Sequence, residues 1–231
     1  MPTAPFHRAE QGWAVYAALV QNEIGSKCAA GTPAFAASLS SWQKSHKLPA
    51  SGAMDVATLD AMKTLWQDRR PFVADSRRGC PPTPPEQDLA AVPVNQSYSG
   101  KIIQLEKPAL AAYEKMADAA RKSGAVAAGS NLLSIFSGYR SPQYDAARCA
   151  KDHNCQGLVR ASCSAHRTGL AMDVDLGAAP GFAVDSSDDK NRLYISQTPL
   201  YRWLVANAAH YGFVNYAFEP WHWEFTGGRT S

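Results

Sequence analysis

The chain has 231 residues, of which 45% are hydrophobic and 19% charged, with a formal net charge of +3 at pH 7. This balance suits one or two soluble globular domains. The charge is too small to argue for nucleic-acid binding, and no apolar run approaches the roughly 20 residues needed to span a bilayer. Met1 to Pro5 lacks a basic region followed by an apolar core, so we expect a signal peptide to be absent or already removed.

Trp13, Tyr16, Ala17, Val20 and Ile24 recur at helical spacing and predict a helix from about Ala9 to Ile24. Thr32-Pro33 reads as an N-cap followed by proline at the first helical position. The helix it opens buries Phe35, Leu39 and Trp42 and ends near Lys47, because Leu48 precedes Pro49. Ser51-Gly52 makes a turn, and Asp55 caps a third helix carrying Val56, Leu59, Met62, Leu65 and Trp66. Arg69-Arg70-Pro71 ends this helical part. Between Gly79 and Val94, Pro81, Pro82, Pro84, Pro85 and Pro93 withhold the N–H donors that a helix or central strand needs, so the stretch reads as an extended linker.

Leu110, Tyr113, Met116, Ala117 and Ala120 then predict a helix from Pro108 to Ser123, stopped by Gly124. Leu132 to Phe136 reads as a strand that delivers Ser137-Gly138-Tyr139-Arg140-Ser141. Gln143 to Ala150 reads as a helix. Leu170 to Leu176 reads as a strand with Asp173 and Asp175 on one face. Pro180 to Thr198 lacks periodicity and reads as a loop, and Pro199 to Gly212 as a helix. His7, His46 and His153 read as surface residues and His210 as structural. Trp221 and Trp223 alternate with His222 and read as packing.

The chemistry concentrates in two stretches. Ser164-Ala165-His166-Arg167-Thr168-Gly169-Leu170-Ala171-Met172-Asp173 offers an imidazole and a carboxylate across a glycine, which lets the backbone approach closely. Glu219-Pro220-Trp221-His222-Trp223 adds a second imidazole and a spare carboxylate. Two histidines and one aspartate make a catalytic zinc set with a fourth position left for water, and a nearby carboxylate serves as base.

S-x-H-x-x-G-x-A-x-D followed by E-P-W-H-W resembles the zinc D,D-peptidases of the vancomycin-resistance carboxypeptidase type, in a group that includes lysostaphin-like peptidases and the Hedgehog domain. The resemblance covers about Val94 to Gly227, and Tyr201 to Tyr216 extends it. It implies an α+β fold, an antiparallel sheet with flanking helices. His166, Asp173 and His222 become ligands of a zinc cofactor, and Glu219 the catalytic base. Arg140, in S-G-Y-R-S, and Ser164 grip the substrate carboxylate, a task suited to the planar guanidinium fork. Asp175 is either a hydrogen-bond partner behind the ligands or solvated. The implied substrate is the D-Ala-D-Ala end of peptidoglycan stem peptides, met by a monomer in the periplasm or outside the cell. Alternatives are an endopeptidase cutting L-Ala-D-Glu or cross-links, a catalytically silent zinc-containing wall-binding protein, and a non-haem iron site. The iron reading leaves Glu219 and Arg140 without a task.

Phe35 to Trp66 is similar to the three-helix peptidoglycan-binding module found beside wall hydrolases, carried by Gln43, Leu48-Pro49, Gly52, Asp55 and Thr58-Leu59. The expected organisation is a small all-α domain over residues 1–72, a linker over 73–93 and a catalytic domain over 94–231. Of the five cysteines, Cys149 and Cys155 flank a short polar loop and are placed to form a disulfide. Cys28 and Cys80 bracket the N-terminal region and are placed to do the same, leaving Cys163 free. The alternative is five reduced thiols. The extracytoplasmic setting implied by the resemblance favours the disulfides.

Overall fold

The computed structural model describes residues 12–151, 153 and 163–227. A short 3-10 turn, Ala14–Tyr16, leads into α1 (Ala17–Glu23), a later start than the period suggested; Ala9 to Gln11 lie outside the described residues. α2 (Pro33–Ser45) opens as expected, with the Thr32 hydroxyl accepting from the Phe35 N–H at 3.3 Å. α3 (Val56–Asp68) opens on Asp55, whose carboxylate accepts from the Thr58 N–H at 2.7 Å. Each such cap is worth about 1 kcal/mol. The turn between these helices is built around buried Gln43, which donates to Ala53 O at 2.9 Å and Thr58 Oγ1 at 3.0 Å and accepts from Gly52 N at 2.9 Å. Proline also opens α4 (Pro71–Ser76), where helical structure resumes beyond Arg70.

Strand β1 (Leu89–Ala91) occupies the proline-free gap between Pro85 and Pro93 and pairs antiparallel with β2 (Gln104–Glu106). α5 (Lys107–Lys122) follows, with Tyr113 fully buried and its hydroxyl donating to Leu133 O at 2.6 Å. The main sheet has four antiparallel strands: β3 (Ile135–Ser137), β4 (Ala171–Val174), β5 (Phe213–Asn215) and β6 (His222–Phe225), in the order β3-β4-β6-β5. α6 (Pro142–Lys151) leaves the sheet after β3.

Two expectations are corrected here. The stretch read as a loop contains α7 (Asp189–Gln197), capped by Asp188, which accepts from Lys190 N at 2.9 Å. β4 is shorter than expected and ends at Val174. Asp175 lies beyond it, where its carboxylate accepts from Gly177 N at 2.8 Å and its backbone bonds to Leu133 and Ser134. α8 (Pro199–Asn207) then continues through a 3-10 turn to Gly212. The result is the α+β arrangement expected, with helices around an antiparallel sheet.

One core joins the sheet to the helices, through Met172, Val174 and Trp223 on one side and Tyr113, Met116, Ile195 and Leu204 on the other. A second core lies under the N-terminal helices. Tyr16, Val20, Leu39, Met62 and Trp66 there enclose Ala217 and Phe218, from the loop between β5 and β6. Each large apolar side chain fully buried contributes roughly 1.5–3 kcal/mol. The helical segment is therefore packed on the loop that carries Glu219. No helix of the described residues is long and apolar enough to cross a membrane.

Candidate active site and metal centre

Asp173 on β4 is the register partner of His222 on β6, and Ser137 on β3 is paired with Asp173 on its other side. His166 comes from a 3-10 turn, Ala165–Thr168, that closes on Gly169 in the left-handed region at φ 69°. A side chain at Gly169 would press on Glu106 and Leu89 at 3.1 Å, so the close approach this glycine allows is to β2 and β1, not to the metal set.

His166, Asp173 and His222 are all buried, and each offers a ligand atom within 4.8 Å of the others. The tautomer of His166 follows from its neighbour. The Gly138 carbonyl, 2.8 Å from Nδ1, can only accept, so Nδ1 carries the proton and Nε2 turns its lone pair toward Asp173 at 3.2 Å. A side chain at Gly138 would not fit against β2, because a Cβ there would meet Gln104 O at 2.5 Å.

His222 is oriented the other way round. Its Nδ1 faces Asp173 Oδ1 at 2.9 Å, and its Nε2 faces Glu224 Oε1 at 3.4 Å. Burial works against a charged ring, but the hydrogen bonds to Asp173 and Glu224 lift its pKa to about 9. Burial lowers the pKa of His166. Asp173 is held well below the usual carboxylate range: desolvation opposes its charge, and both histidines outweigh that. Glu224, also desolvated, is drawn down to about 2 by His222 and Arg70. The site thus favours positive charge between its carboxylates. Two imidazole nitrogens and a carboxylate oxygen at these separations suit zinc, so the residues fit the ion that the sequence implies.

Glu219 lies in the loop before β6, partly accessible to solvent. Its surroundings desolvate the carboxyl and raise its pKa; the Asp173 charge adds to the rise, while His222, Arg70 and Arg140 work against it. The turn Glu219–His222 is closed by the His222 N–H donating to Glu219 O at 2.8 Å, which sets the expected base and the candidate ligand close together along the chain.

Arg140 stands beside the centre, its N–H donating to His166 O at 3.2 Å. Its guanidinium donates to Asp145 Oδ1 at 3.0 Å, Ser137 Oγ at 3.1 Å and Ser164 Oγ at 3.4 Å, and Ser164 in turn donates to Asp145 Oδ2 at 2.9 Å. The expected pair Arg140 and Ser164 is therefore brought together, through a buried carboxylate that the sequence reading did not single out. Asp145 sits near the start of α6, five residues after Arg140. Glu224 was also missed, although a residue two places after His222 in a strand shares its face.

A match of the VanY family profile, described as D-alanyl-D-alanine carboxypeptidase, spans residues 102–228. The chain belongs to the VanY family. A VanY-family chain is a peptidase of peptidoglycan, and the two stretches that supply His166, Asp173, Glu219 and His222 fall inside the match. Among solved structures, the chain is similar to the LdcB LD-carboxypeptidase, with 28% identity and a TM-score of 0.45 over 63% of this chain and 70% of that one. It is also similar to a mutant of the VanY D,D-pentapeptidase of vancomycin resistance in complex with Zn(II), with 19% identity and a TM-score of 0.34 over 63% of this chain and 83% of that one. No curated protein matches it.

The cysteine pairing differs from expectation. Cys80 is bonded to Cys163, and Cys28 is free and exposed, so neither the Cys28–Cys80 bridge nor a free Cys163 is found. Sequence spacing does not encode disulfide connectivity. The observed bond ties the proline-rich stretch to the residue preceding Ser164. Cys149 is disulfide-bonded, and Cys155, its expected partner, lies outside the described residues. His210 is exposed rather than structural, and His46 stacks on Trp42 at the surface with ring centroids 3.9 Å apart.

Proposed function

We propose that this chain is a zinc D,D-carboxypeptidase that removes the terminal D-alanine from peptidoglycan stem peptides in the periplasm or outside the cell. The observation that carries the reading is the convergence of His166, Asp173 and His222, all buried, with Glu219 on the turn leading into His222. His166 through Nε2, Asp173 through its carboxylate and His222 through Nδ1 would hold the ion. When bound, zinc acts as a Lewis acid on water and on the scissile carbonyl.

The remaining work falls to side chains. Glu219 takes the proton of the attacking water and returns it to the leaving amine, and its raised pKa makes it a better acceptor than a solvated carboxylate. Water adds to the carbonyl carbon, the C–N bond breaks, and free D-alanine leaves with the amine proton. Arg140 and Ser164 bind the substrate's terminal carboxylate and fix which bond lies at the centre. The bonds of Arg140 to Ser137 and Ser164 engage one N–H on each terminal nitrogen, so the other N–H of each is available for a forked contact. The N-terminal helices present a groove lined by Trp13, Pro33, Phe35 and Met54, a surface suited to polymeric wall.

One observation favours a second reading. Asp145 already neutralises Arg140, which lowers the demand for a substrate carboxylate and suits an endopeptidase cutting L-Ala-D-Glu or cross-links. Incubating the protein with a stem pentapeptide, with and without a chelator, separates the readings by mass spectrometry of the products. Chelator-sensitive release of D-alanine is expected. Products cut inside the stem, with D-alanine retained, would replace the first reading by the second.

A further inference from the structure

His222 has a second anchor that reaches outside the VanY match. Its Nε2 faces Glu224, and Glu224 is almost fully buried. Buried carboxylates need compensation, and here it comes from Arg70, between α3 and α4. Arg70 Nε donates to Glu224 Oε1 at 2.7 Å, its terminal nitrogen lies 2.6 Å from the same oxygen, and Phe72 N donates to Oε2 at 3.1 Å. Arg70 is itself fixed by Gln67 at 2.8 Å and lies over the Tyr216 ring at 3.8 Å, whose edge meets His222. A chain of contacts thus runs from the N-terminal helices to a metal-ligand candidate 152 residues further along.

A parallel tie reaches the base. Buried Arg192 on α7 donates to Tyr16 OH at 2.9 Å and to Phe218 O at 2.9 Å, one residue before Glu219. Tyr16 and Phe218 rings are also in edge contact. The segment carrying Glu219 and His222 is therefore held at one end by Arg192, which is braced by Tyr16 of the N-terminal segment, and at the other by Arg70 through Glu224.

We propose that Arg70 and Glu224 are positioning residues of the metal centre: Arg70 holds Glu224, Glu224 holds the Nε2–H tautomer of His222, and the N-terminal helical segment is thereby a structural part of the active site. The inference rests on the ligand reading given above. Partners behind the ligands of metal sites typically tune affinity by about 10- to 100-fold.

The test is zinc affinity measured by competition with a chromogenic chelator, beside the visible spectrum of the cobalt-substituted protein and the 15N signature of His222. Arg70→Ala and Glu224→Gln should each weaken zinc binding by about 10- to 100-fold, alter the cobalt spectrum and lower kcat more than they raise KM. Arg70→Lys should recover part of the affinity. Arg69→Ala, which removes the neighbouring ion pair to Glu23, should leave affinity and spectrum unchanged. Folded Arg70→Ala and Glu224→Gln proteins with native zinc affinity and an unchanged spectrum would overturn the proposal. If Arg70→Ala does not fold, Glu224→Gln decides alone. Weakened zinc binding in a protein whose native form fails to cleave stem peptides supports the coupling and rejects only the substrate assignment.

Discussion

Asp173 and His222 are register partners on adjacent antiparallel strands, and Asp173 Oδ1 lies 2.9 Å from His222 Nδ1. The hydrogen-bonded ladder thus sets the spacing of two candidate ligand atoms, while His166 approaches from a separate turn. Replacing His166, Asp173 or His222 by Ala should each abolish stoichiometric zinc, read by elemental analysis after dialysis. Full occupancy in all three variants would reject the ligand set.

Glu219→Gln keeps the size of the side chain and removes the base. General-base assistance is worth roughly 10²- to 10⁴-fold, and turnover of a stem peptide should fall by that order. Zinc content and peptide affinity should hold. If zinc is lost with the substitution, Glu219 is a ligand and Asp173 needs another role.

Arg140→Lys should lower turnover of peptides ending in a free carboxylate by about 10- to 100-fold, the worth of a charged hydrogen bond of about 1.5–3 kcal/mol. Asp145→Asn should raise KM for the same peptides, since the guanidinium loses the carboxylate that orients it. Native enzyme that cleaves free-acid and amidated peptides at equal rates would remove Arg140 from substrate binding.

Cys163→Ser should destabilise the protein by about 2–5 kcal/mol and reduce activity, because the bond to Cys80 fixes the residue next to Ser164. Cys28→Ser should do neither. Chemical denaturation of the two variants side by side checks this.

The pKa of Glu23 is lowered: burial opposes its charge, and Arg69, Trp66 and Trp42 donate to it and prevail. A depressed folded pKa contributes stability that is present above the unfolded value of about 4.5 and is lost as pH falls through the folded value. Glu23→Gln should therefore cost about 1–2 kcal/mol at pH 7, with half-exposed Arg69 counted at a discount. The difference from native protein should shrink below pH 4.5, as followed by thermal melts. A constant difference down to pH 3 would show that the loss is packing rather than charge.

The parts of the fold that were legible in the sequence are those with local signals. Thr32-Pro33, Asp55 and the apolar face of α5 each name their own helix within a few residues. α7 was hidden because its buried face carries Asn191, Arg192 and Ser196 beside Ile195, so no apolar period appears. Asp175 was misread because nothing local says that β4 stops at Val174. The candidate residues that the structure brings together, His166, Asp173 and His222 in one group and Arg140 with Ser164 in another, were expected from motifs. Their supports were not: Asp145 lies in the helix after the arginine, and Arg70 meets Glu224 across 154 positions of sequence. The same distance problem hid the Cys80–Cys163 pairing, separated by 83 positions.

The order of strands bears on when the enzyme becomes active. β6 is the last strand among the described residues, yet it lies inside the sheet, between β4 and β5. A chain emerging from the ribosome holds β3 and β4 well before β5 and β6, which are separated only by Tyr216 to Trp221. Until His222–Phe225 arrives, β4 keeps one open edge, and the β4–β6 contacts that close it span a long stretch of sequence, which slows folding and exposes the edge to aggregation. The strand that completes the sheet also delivers His222 and, just ahead of it, Glu219. On the proposed ligand and base assignments, a chain released before β6 is expected to lack hydrolytic activity, because it lacks His222.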